Sequence, residues 1–153
     1  MRVGVPTETK PDEYRVALTP AGARELHDHG HEVLIQTGAG AGSAIADADY
    51  EAQGARIVSG TDEVFGEAEL LLKVKEPQEP EVTLLRPEHT LFTYLHLAPA
   101  RELTRGLREA GAVCVAYETV EDARGRLPLL APMSEVAGKI ATQAGAFLSL
   151  IHI

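Results

Sequence analysis

The chain has 153 residues, a formal net charge of −9 and a sequence pI near 5.1. The length suits one domain with a normal core, and the acidic charge argues against nucleic acid or an anionic membrane surface as a partner. No apolar run is long enough to span a bilayer, and the amino terminus opens on a strand-like run without a signal peptide. The single cysteine, Cys114, is expected to be a small buried hydrophobic residue in a reducing cytoplasm.

Strand-like and helix-like segments alternate along the chain, which is typical of βα units on a largely parallel sheet. We therefore expect an α/β, Rossmann-like (flavodoxin-like) sheet flanked by helices. The predicted strands are 2–5, 32–36, 55–58, 69–74, 89–94 and 113–117.

The first helix has clear boundary signals, because Thr19 can cap it, Pro20 suits its first turn and Gly30 can end it. Residues 76–87, rich in proline and acids, are predicted to be a loop with at most a short helical turn. The predicted helices are 21–29, 47–53, 61–65, 99–110 and a last one that begins at Met133 or Ser134 and runs towards Phe147.

Two of the predicted strands run directly into residues that can do chemistry. Lys75 follows the apolar run 70–74, and His96 follows the run 90–95. In parallel α/β sheets small ligands bind beyond the carboxyl ends of the strands, so a site for a small polar molecule is indicated. The alternative is a lysine that caps a strand and a histidine in a surface loop.

Arg15 lies between the first strand and the first helix, at the same sheet edge as Lys75 and His96. A guanidinium there can hold a carboxylate through two parallel hydrogen bonds. The alternative is an ion pair with Glu8 or Glu13, and the spacing slightly favours that alternative.

The remaining motifs are weaker. The run Gly38-Ala39-Gly40-Ala41-Gly42-Ser43 lacks the third glycine of a dinucleotide fingerprint, so a tight turn is favoured over a phosphate cradle. Ser134 at the start of the last helix can meet polar groups of a ligand, although an ordinary helix cap is favoured. The histidines at 27, 29 and 31 straddle a helix end, and no metal site is predicted.

Taken together, these segments resemble the amino-terminal domain of the alanine dehydrogenase and pyridine nucleotide transhydrogenase family. The resemblance covers residues 1–147. It rests on five blocks in the right order, namely 15–20, 38–40, 73–77, 92–97 and 133–138. Transhydrogenase subunits typically carry tryptophan at the place of His96 and a second alanine at the place of Leu18, so the chain resembles the alanine dehydrogenase branch.

The resemblance implies a role for each candidate residue in the oxidation of L-alanine to pyruvate and ammonia by NAD. Arg15 would hold the substrate carboxylate, and Lys75 would bind pyruvate and polarise its carbonyl. His96 would be the general acid/base, and Ser134 would contact the nicotinamide nucleotide. NAD would be bound mainly by a second, Rossmann domain that also carries the family's catalytic aspartate.

The same resemblance implies a cytoplasmic homo-oligomer acting on a small molecule, with this part alone inactive. The alternatives are a transhydrogenase α subunit and a non-catalytic module that binds pyruvate or alanine. Residues 148–153 match the translation of a transposase sequencing adapter, which predicts a non-native tail after residue 147.

Overall fold

The part of the chain that the computed structural model describes, residues 1–150, contains one six-stranded sheet in the order β3-β2-β1-β4-β5-β6. Every pairing between neighbouring strands is parallel, which confirms the predicted α/β, Rossmann-like class. The strands are β1 Arg2–Val5, β2 Glu32–Gln36, β3 Arg56–Val58, β4 Leu70–Leu72, β5 Thr90–Thr93 and β6 Val113–Ala116.

Six α-helices accompany the strands in the described residues. They are α1 Pro20–Asp28, α2 Asp47–Glu51, α3 Thr61–Glu67, α4 Glu79–Val82, α5 Arg101–Ala110 and α6 Ala131–Leu150. Met1–Ala116 form one compact unit, and the chain from Tyr117 onward forms a second unit that contains α6. None of the helices in residues 1–150 combines the length and apolar character that a bilayer crossing requires.

The boundary signals of α1 act as predicted. The Thr19 hydroxyl accepts a hydrogen bond from the Gly22 N–H at 3.2 Å, and Pro20 occupies the first turn. Gly30, just beyond the helix, has a φ of +81°, a left-handed conformation that glycine adopts without strain.

The predicted start of the last helix is wrong. The helix begins at Ala131 rather than at Met133 or Ser134, because Pro132 suits the first turn, where its missing N–H costs nothing. The Ser134 N–H therefore already donates a helical bond to the Leu130 carbonyl at 3.1 Å, and Ser134 is not the cap residue. The predicted tail, residues 148–153, lies partly outside the described residues, since the description ends at residue 150.

Both faces of the sheet are covered at β2. Val33, Leu34 and Ile35 of β2 are all fully buried, although successive side chains point to opposite faces. Val33 and Ile35 pack in one cluster with Tyr50, whereas Leu34 packs in the other with Phe65. Cys114 of β6 was expected to be buried; it is half-buried against the second cluster, and burial raises the pKa of its thiol.

The centre of the sheet contains the point where the strand order reverses. β1 and β4 are neighbours, but the chain continues from β1 towards β2 and from β4 towards β5, on opposite sides. Connections that diverge in this way leave a crevice at the carboxyl ends of the two strands, where ligands bind in open α/β sheets. The segments that follow β1 and β4 therefore line the natural position for a site.

A buried ion cluster ties these two segments to α4. The Lys73 ammonium lies 3.3 Å from Oε2 of Glu8, which follows β1, and 2.8 Å from Oε1 of Glu81 in α4. The three side chains are 0–3% exposed. Glu8 also accepts hydrogen bonds from the backbone N–H groups of Val74 at 2.6 Å and Lys75 at 3.2 Å. The cluster thus fixes the backbone that carries Lys75.

Gly4 provides a first test of this packing. A Cβ at Gly4 would lie 2.7 Å from the Ala68 Cβ and 2.8 Å from a Val64 methyl, so β1 and the segment around α3 meet without room for a side chain. We expect Gly4→Ala to lower the free energy of unfolding in urea by about 1–3 kcal/mol through overpacking. Gly66→Ala, in α3 with open space around the added methyl, is the control and should be neutral or slightly stabilising. Equal stability of the two variants would contradict the close approach.

Lys73→Met tests the ion cluster. The substitution leaves two buried carboxylates without their cation, so we expect a loss of about 3–5 kcal/mol in the free energy of unfolding. Lys139→Met, which removes an exposed ammonium from α6, should change the same quantity by less than about 0.5 kcal/mol. An unfolding midpoint for Lys73→Met that matches that of Lys139→Met would show that the cluster contributes nothing.

Candidate functional site

Three of the predicted site residues lie after three neighbouring strands, at the carboxyl end of the sheet. Arg15 follows β1, Lys75 follows β4 and His96 follows β5, all within the first unit. This is the end at which the strand order reverses between β1 and β4. Ser134 lies in α6, in the second unit, at an exposed position.

The segments that carry Lys75 and His96 run side by side beyond the ends of their strands. The Lys73 N–H donates to the Phe92 carbonyl at 3.2 Å, and the Tyr94 N–H donates to the Val74 carbonyl at 3.3 Å. The Thr93 hydroxyl donates to the Lys75 carbonyl at 2.9 Å. Although β4 ends at Leu72, these bonds keep the two segments in register as far as the candidate residues.

Arg15 forms a bidentate ion pair with Glu13. Nε donates to Glu13 Oε1 at 2.7 Å and Nη2 donates to Oε2 at 2.6 Å, so the pairing that the spacing favoured is present. The hydrogen bond from Arg15, which outweighs burial, lowers the pKa of Glu13 to about 2, and the Lys75 charge adds to this effect. The Glu13 side chain is 7% exposed and that of Arg15 is 49% exposed. Glu13 fixes the guanidinium plane through Nε and Nη2, and Nη1 is not part of the pair.

The glycine-rich segment after β2 supports the loop that carries Arg15. The Ser43 hydroxyl donates to the Tyr14 carbonyl at 3.1 Å, and a Cβ at Gly42 would lie 2.5 Å from the same oxygen. The Tyr50 hydroxyl donates to the Leu18 carbonyl at 2.7 Å on the other side of Arg15. Glycine is needed at position 42 because the Arg15 loop passes directly over it.

Several amide groups of this segment donate hydrogen bonds within it or to the next helix, as expected for the predicted tight turn. The Gly38 N–H donates to Asp47 Oδ1, the Ala41 N–H to the Gly38 carbonyl and the Ser43 N–H to the Gly40 carbonyl. A phosphate cradle needs N–H groups that point to the ligand. The N–H groups of Gly38, Ala41 and Ser43 are therefore not available to a phosphate.

Lys75 brings a second positive charge to the same place. Its ammonium forms no hydrogen bond or ion pair with any residue in the described part of the chain, and the side chain is partly exposed. The Lys75 charge nevertheless contributes to the low pKa of Glu13, so it lies within electrostatic reach of the Arg15–Glu13 pair. Arg15 and Lys75 together form a positive region suited to a small carboxylate.

His96 has an unusual backbone for a residue with a side chain. Its φ of +49° lies in the left-handed region, where residues other than glycine are uncommon and where strain of about 1–3 kcal/mol clusters at functional sites. The imidazole is 52% exposed, and its Nδ1 lies 3.6 Å from Oε2 of Glu76. The Tyr94 ring lies beside it at a centroid distance of 6.1 Å.

The residues that hold the site in place, above all Lys73, were not predicted from the sequence. A signal was available, because a lysine inside the apolar run 70–74 of a central strand requires buried partners of opposite charge. Their identity was not readable, since Glu8 lies 65 positions away in the chain.

A groove of about 1000 Å³ lies beside the site, between α4 and α5. Val82, Leu85 and Leu103 provide part of its apolar lining, and Glu76 belongs to both the groove and the site. Arg15, Lys75 and His96 do not line it. The charged groups and the imidazole that could take part in chemistry therefore lie at the carboxyl end of the sheet and not in the groove.

Comparison with known proteins assigns a family to this arrangement. The family model described as alanine dehydrogenase/PNT, N-terminal domain, matches residues 4–137. The alanine dehydrogenase of Mycolicibacterium smegmatis is 60% identical over 147 residues, which is 96% of this chain and 40% of that protein. The alanine dehydrogenase of Halomonas elongata is 57% identical over 146 residues, or 95% of this chain and 39% of that protein.

Solved structures agree with the sequence relatives. A structure described as L-alanine dehydrogenase is 47% identical and superposes with a TM-score of 0.90, over 95% of this chain and 40% of the other. A transhydrogenase from Sinorhizobium meliloti is 28% identical with a TM-score of 0.75, over 81% of this chain and 37% of the other.

The chain spans about 40% of the length of the curated relatives that it matches. Its match is to their amino-terminal part, and the transhydrogenase is a weaker relative than the alanine dehydrogenases. The chain therefore belongs to the alanine dehydrogenase/PNT N-terminal domain family, on the alanine dehydrogenase side of it.

Proposed function

We propose that the chain is the substrate-binding part of an NAD-dependent L-alanine dehydrogenase, which converts L-alanine, NAD and water into pyruvate, ammonia and NADH. The observation that supports the proposal is the position of Arg15, Lys75 and His96 after the carboxyl ends of the neighbouring strands β1, β4 and β5. Two cations and one imidazole at the strand-order reversal suit a small 2-amino or 2-keto acid.

Arg15 binds the substrate carboxylate in this proposal. Glu13 already holds the guanidinium plane through Nε and Nη2, so the orientation of the Arg15 side chain is set before the substrate arrives. A carboxylate that binds here is fixed in orientation as well as in charge. This places the reacting carbon, one bond away, at the centre of the site.

Lys75 stabilises the charge that develops on the reacting centre. In the reductive direction, a fixed ammonium beside the carbonyl oxygen of pyruvate polarises the carbonyl group. In the oxidative direction, it stabilises the negative charge that develops on the same oxygen. The Lys75 N–H donates a hydrogen bond to the Glu8 carboxylate, and the Lys75 carbonyl accepts one from the Thr93 hydroxyl. Both polar groups of the Lys75 backbone are therefore held. The ammonium is thus presented from a rigid support, as such electrostatic stabilisation requires.

His96 moves protons as the general acid/base. Imidazole titrates near neutral pH, which suits a group that must both take and give a proton. In the oxidative direction it takes a proton from water as the oxygen bonds to the imine carbon. It then gives this proton to the nitrogen and takes the hydroxyl proton of the carbinolamine as the C–N bond breaks, so that ammonia leaves and the carbonyl of pyruvate forms.

NAD supplies the acceptor for the hydride of the substrate carbon. Among the described residues, the exposed Ser134 is compatible with a contact to the nucleotide. NAD binds mainly to the part of the longer relatives that this chain does not span. The chain by itself is inactive, and the whole protein is a cytoplasmic homo-oligomer.

A graft tests the proposal. Replacing the aligned amino-terminal segment of the Mycolicibacterium smegmatis alanine dehydrogenase with residues 1–147 of this chain should give an enzyme that forms NADH from L-alanine. In this graft we expect His96→Ala to lower kcat about 10²–10⁴-fold. We expect Arg15→Met to raise KM for L-alanine about 10–100-fold, since it removes charge-assisted hydrogen bonds worth about 1.5–3 kcal/mol.

The control is Arg24→Met, which removes an exposed arginine that pairs with Asp28 on α1 and should leave both constants unchanged. A folded graft that forms no NADH from alanine would contradict the proposal. Hydride transfer between two nicotinamide nucleotides without alanine would favour the transhydrogenase alternative. Pyruvate binding without turnover would favour the binding module.

Glu13 gives a prediction about pH. Glu13→Gln should raise KM for L-alanine about two- to tenfold, because Arg15 loses a charged partner that orients it. Since the pKa of Glu13 is about 2, Glu13 stays charged between pH 5 and 9 and the KM ratio should be constant over that range.

The same pair predicts the pH dependence of stability. The pKa of Glu13 is lowered from 4.5 on folding, so the ion pair stabilises the folded state fully above that value and loses its effect as the pH falls towards 2. The difference in urea midpoint between the native chain and Glu13→Gln should therefore shrink below pH 4.5. A difference that is independent of pH would contradict the role of the pair.

A further inference from the structure

Glu76 has one carboxylate oxygen that the fold leaves without a hydrogen bond. Oε1 accepts a hydrogen bond from the Lys10 ammonium, whereas the buried Oε2 has no hydrogen-bond partner among the described residues. The Glu76 side chain is only 16% exposed. A buried polar atom without a partner costs free energy, so Oε2 in this position calls for a donor.

The imidazole of His96 is a candidate donor for Glu76 Oε2. Its Nδ1 lies 3.6 Å from Glu76 Oε2, slightly beyond hydrogen-bond distance. Hydrogen bonds of catalytic groups are often long before the substrate binds and shorten in the complex. A shortening of about 0.5 Å would bring the two atoms within hydrogen-bond distance.

Lys10 keeps Glu76 in the form that can accept. Burial alone would raise the pKa of Glu76, but the hydrogen bond and charge of Lys10 together with the backbone bond more than offset it, so the pKa lies below its ordinary value of 4.5. Glu76 is therefore a carboxylate at neutral pH and offers only acceptor sites to His96.

We propose that Glu76 is a positioning residue that holds neutral His96 with its proton on Nδ1 and so makes Nε2 the atom that exchanges protons with the substrate. The position of the ring proton follows from the geometry of Lys10, Glu76 and His96 and is independent of the proposed function. Its use in catalysis rests on the proposed alanine dehydrogenase function. In that reaction Nε2 must carry a lone pair to take the proton of the attacking water, and Glu76 stabilises the imidazolium that results.

The position of the proton is measured directly by ¹⁵N NMR of the histidine ring in the whole chain, at a pH where the imidazole is neutral. Protonated and unprotonated ring nitrogens have well-separated ¹⁵N shifts, and the His96 signals are identified by their loss in His96→Gln. We expect Nδ1 to be protonated and Nε2 to be unprotonated in the native chain. A proton on Nε2 would overturn the proposal.

Glu76→Gln should reverse the position of the proton. The Lys10 ammonium, which only donates, selects the carbonyl oxygen of the new amide, so the NH₂ group faces His96 and favours a lone pair on Nδ1. Glu79→Gln, at the exposed start of α4, is the matched control and should leave the ring signals of His96 unchanged. An unchanged tautomer in Glu76→Gln would overturn the proposal even if the native tautomer is as expected.

The graft described above tests the catalytic consequence. Glu76→Gln should lower kcat at least about 100-fold with little change in KM, since the base is misprotonated while Arg15 and Lys75 are intact. A changed tautomer with unchanged kcat would overturn the role assigned to Nε2. If the graft is inactive with alanine while the tautomer responds to Glu76, the proposed function fails and the positioning role stands. If the graft is active and Glu76→Gln changes neither the tautomer of His96 nor kcat, the positioning role fails.

Discussion

A buried lysine ammonium that lies between two carboxylates constrains the rest of the site. Lys73 is fully buried and pairs with Glu8 and Glu81, which come from the loop after β1 and from α4. A buried charge is tolerated only when its partners are in place, so these three segments must assemble together. Because Glu8 also accepts hydrogen bonds from the N–H groups of Val74 and Lys75, the same cluster fixes the backbone that carries Lys75.

Two further carboxylates contact the other two functional groups. Glu13 fixes the guanidinium of Arg15, and Glu76 lies against both Lys10 and His96. In both cases an acidic side chain contacts a group that is proposed to bind or react with the substrate. In a chain of acidic net charge, Arg15 and Lys75 are the two cations to which the proposal assigns the attraction for a small carboxylate.

The strands and the first helix were readable from the sequence because their signals are local. β1 and β2 match the predicted bounds, since each is a short apolar run between turn signals, and Thr19 caps α1 as its position suggests. The start of α6 was misplaced because the serine signal at position 134 was weighted above Pro132. Lys75 and His96 were found by their places at strand ends, whereas Lys73 and Glu76 were missed because their partners are distant in sequence. The roles of Arg15, Lys75, His96 and Ser134 towards substrate and cofactor stay predictions.

The measurement that tests the central claim most directly is a titration of the isotope-labelled chain with pyruvate, followed by the backbone and side-chain NMR signals of the first unit. The account predicts that the signals of Arg15, Lys75 and His96 shift together and saturate with one binding constant, and that Arg15→Met abolishes the shifts. Saturable shifts confined to the groove between α4 and α5, around Val82 and Leu103, would place the ligand elsewhere and contradict the account.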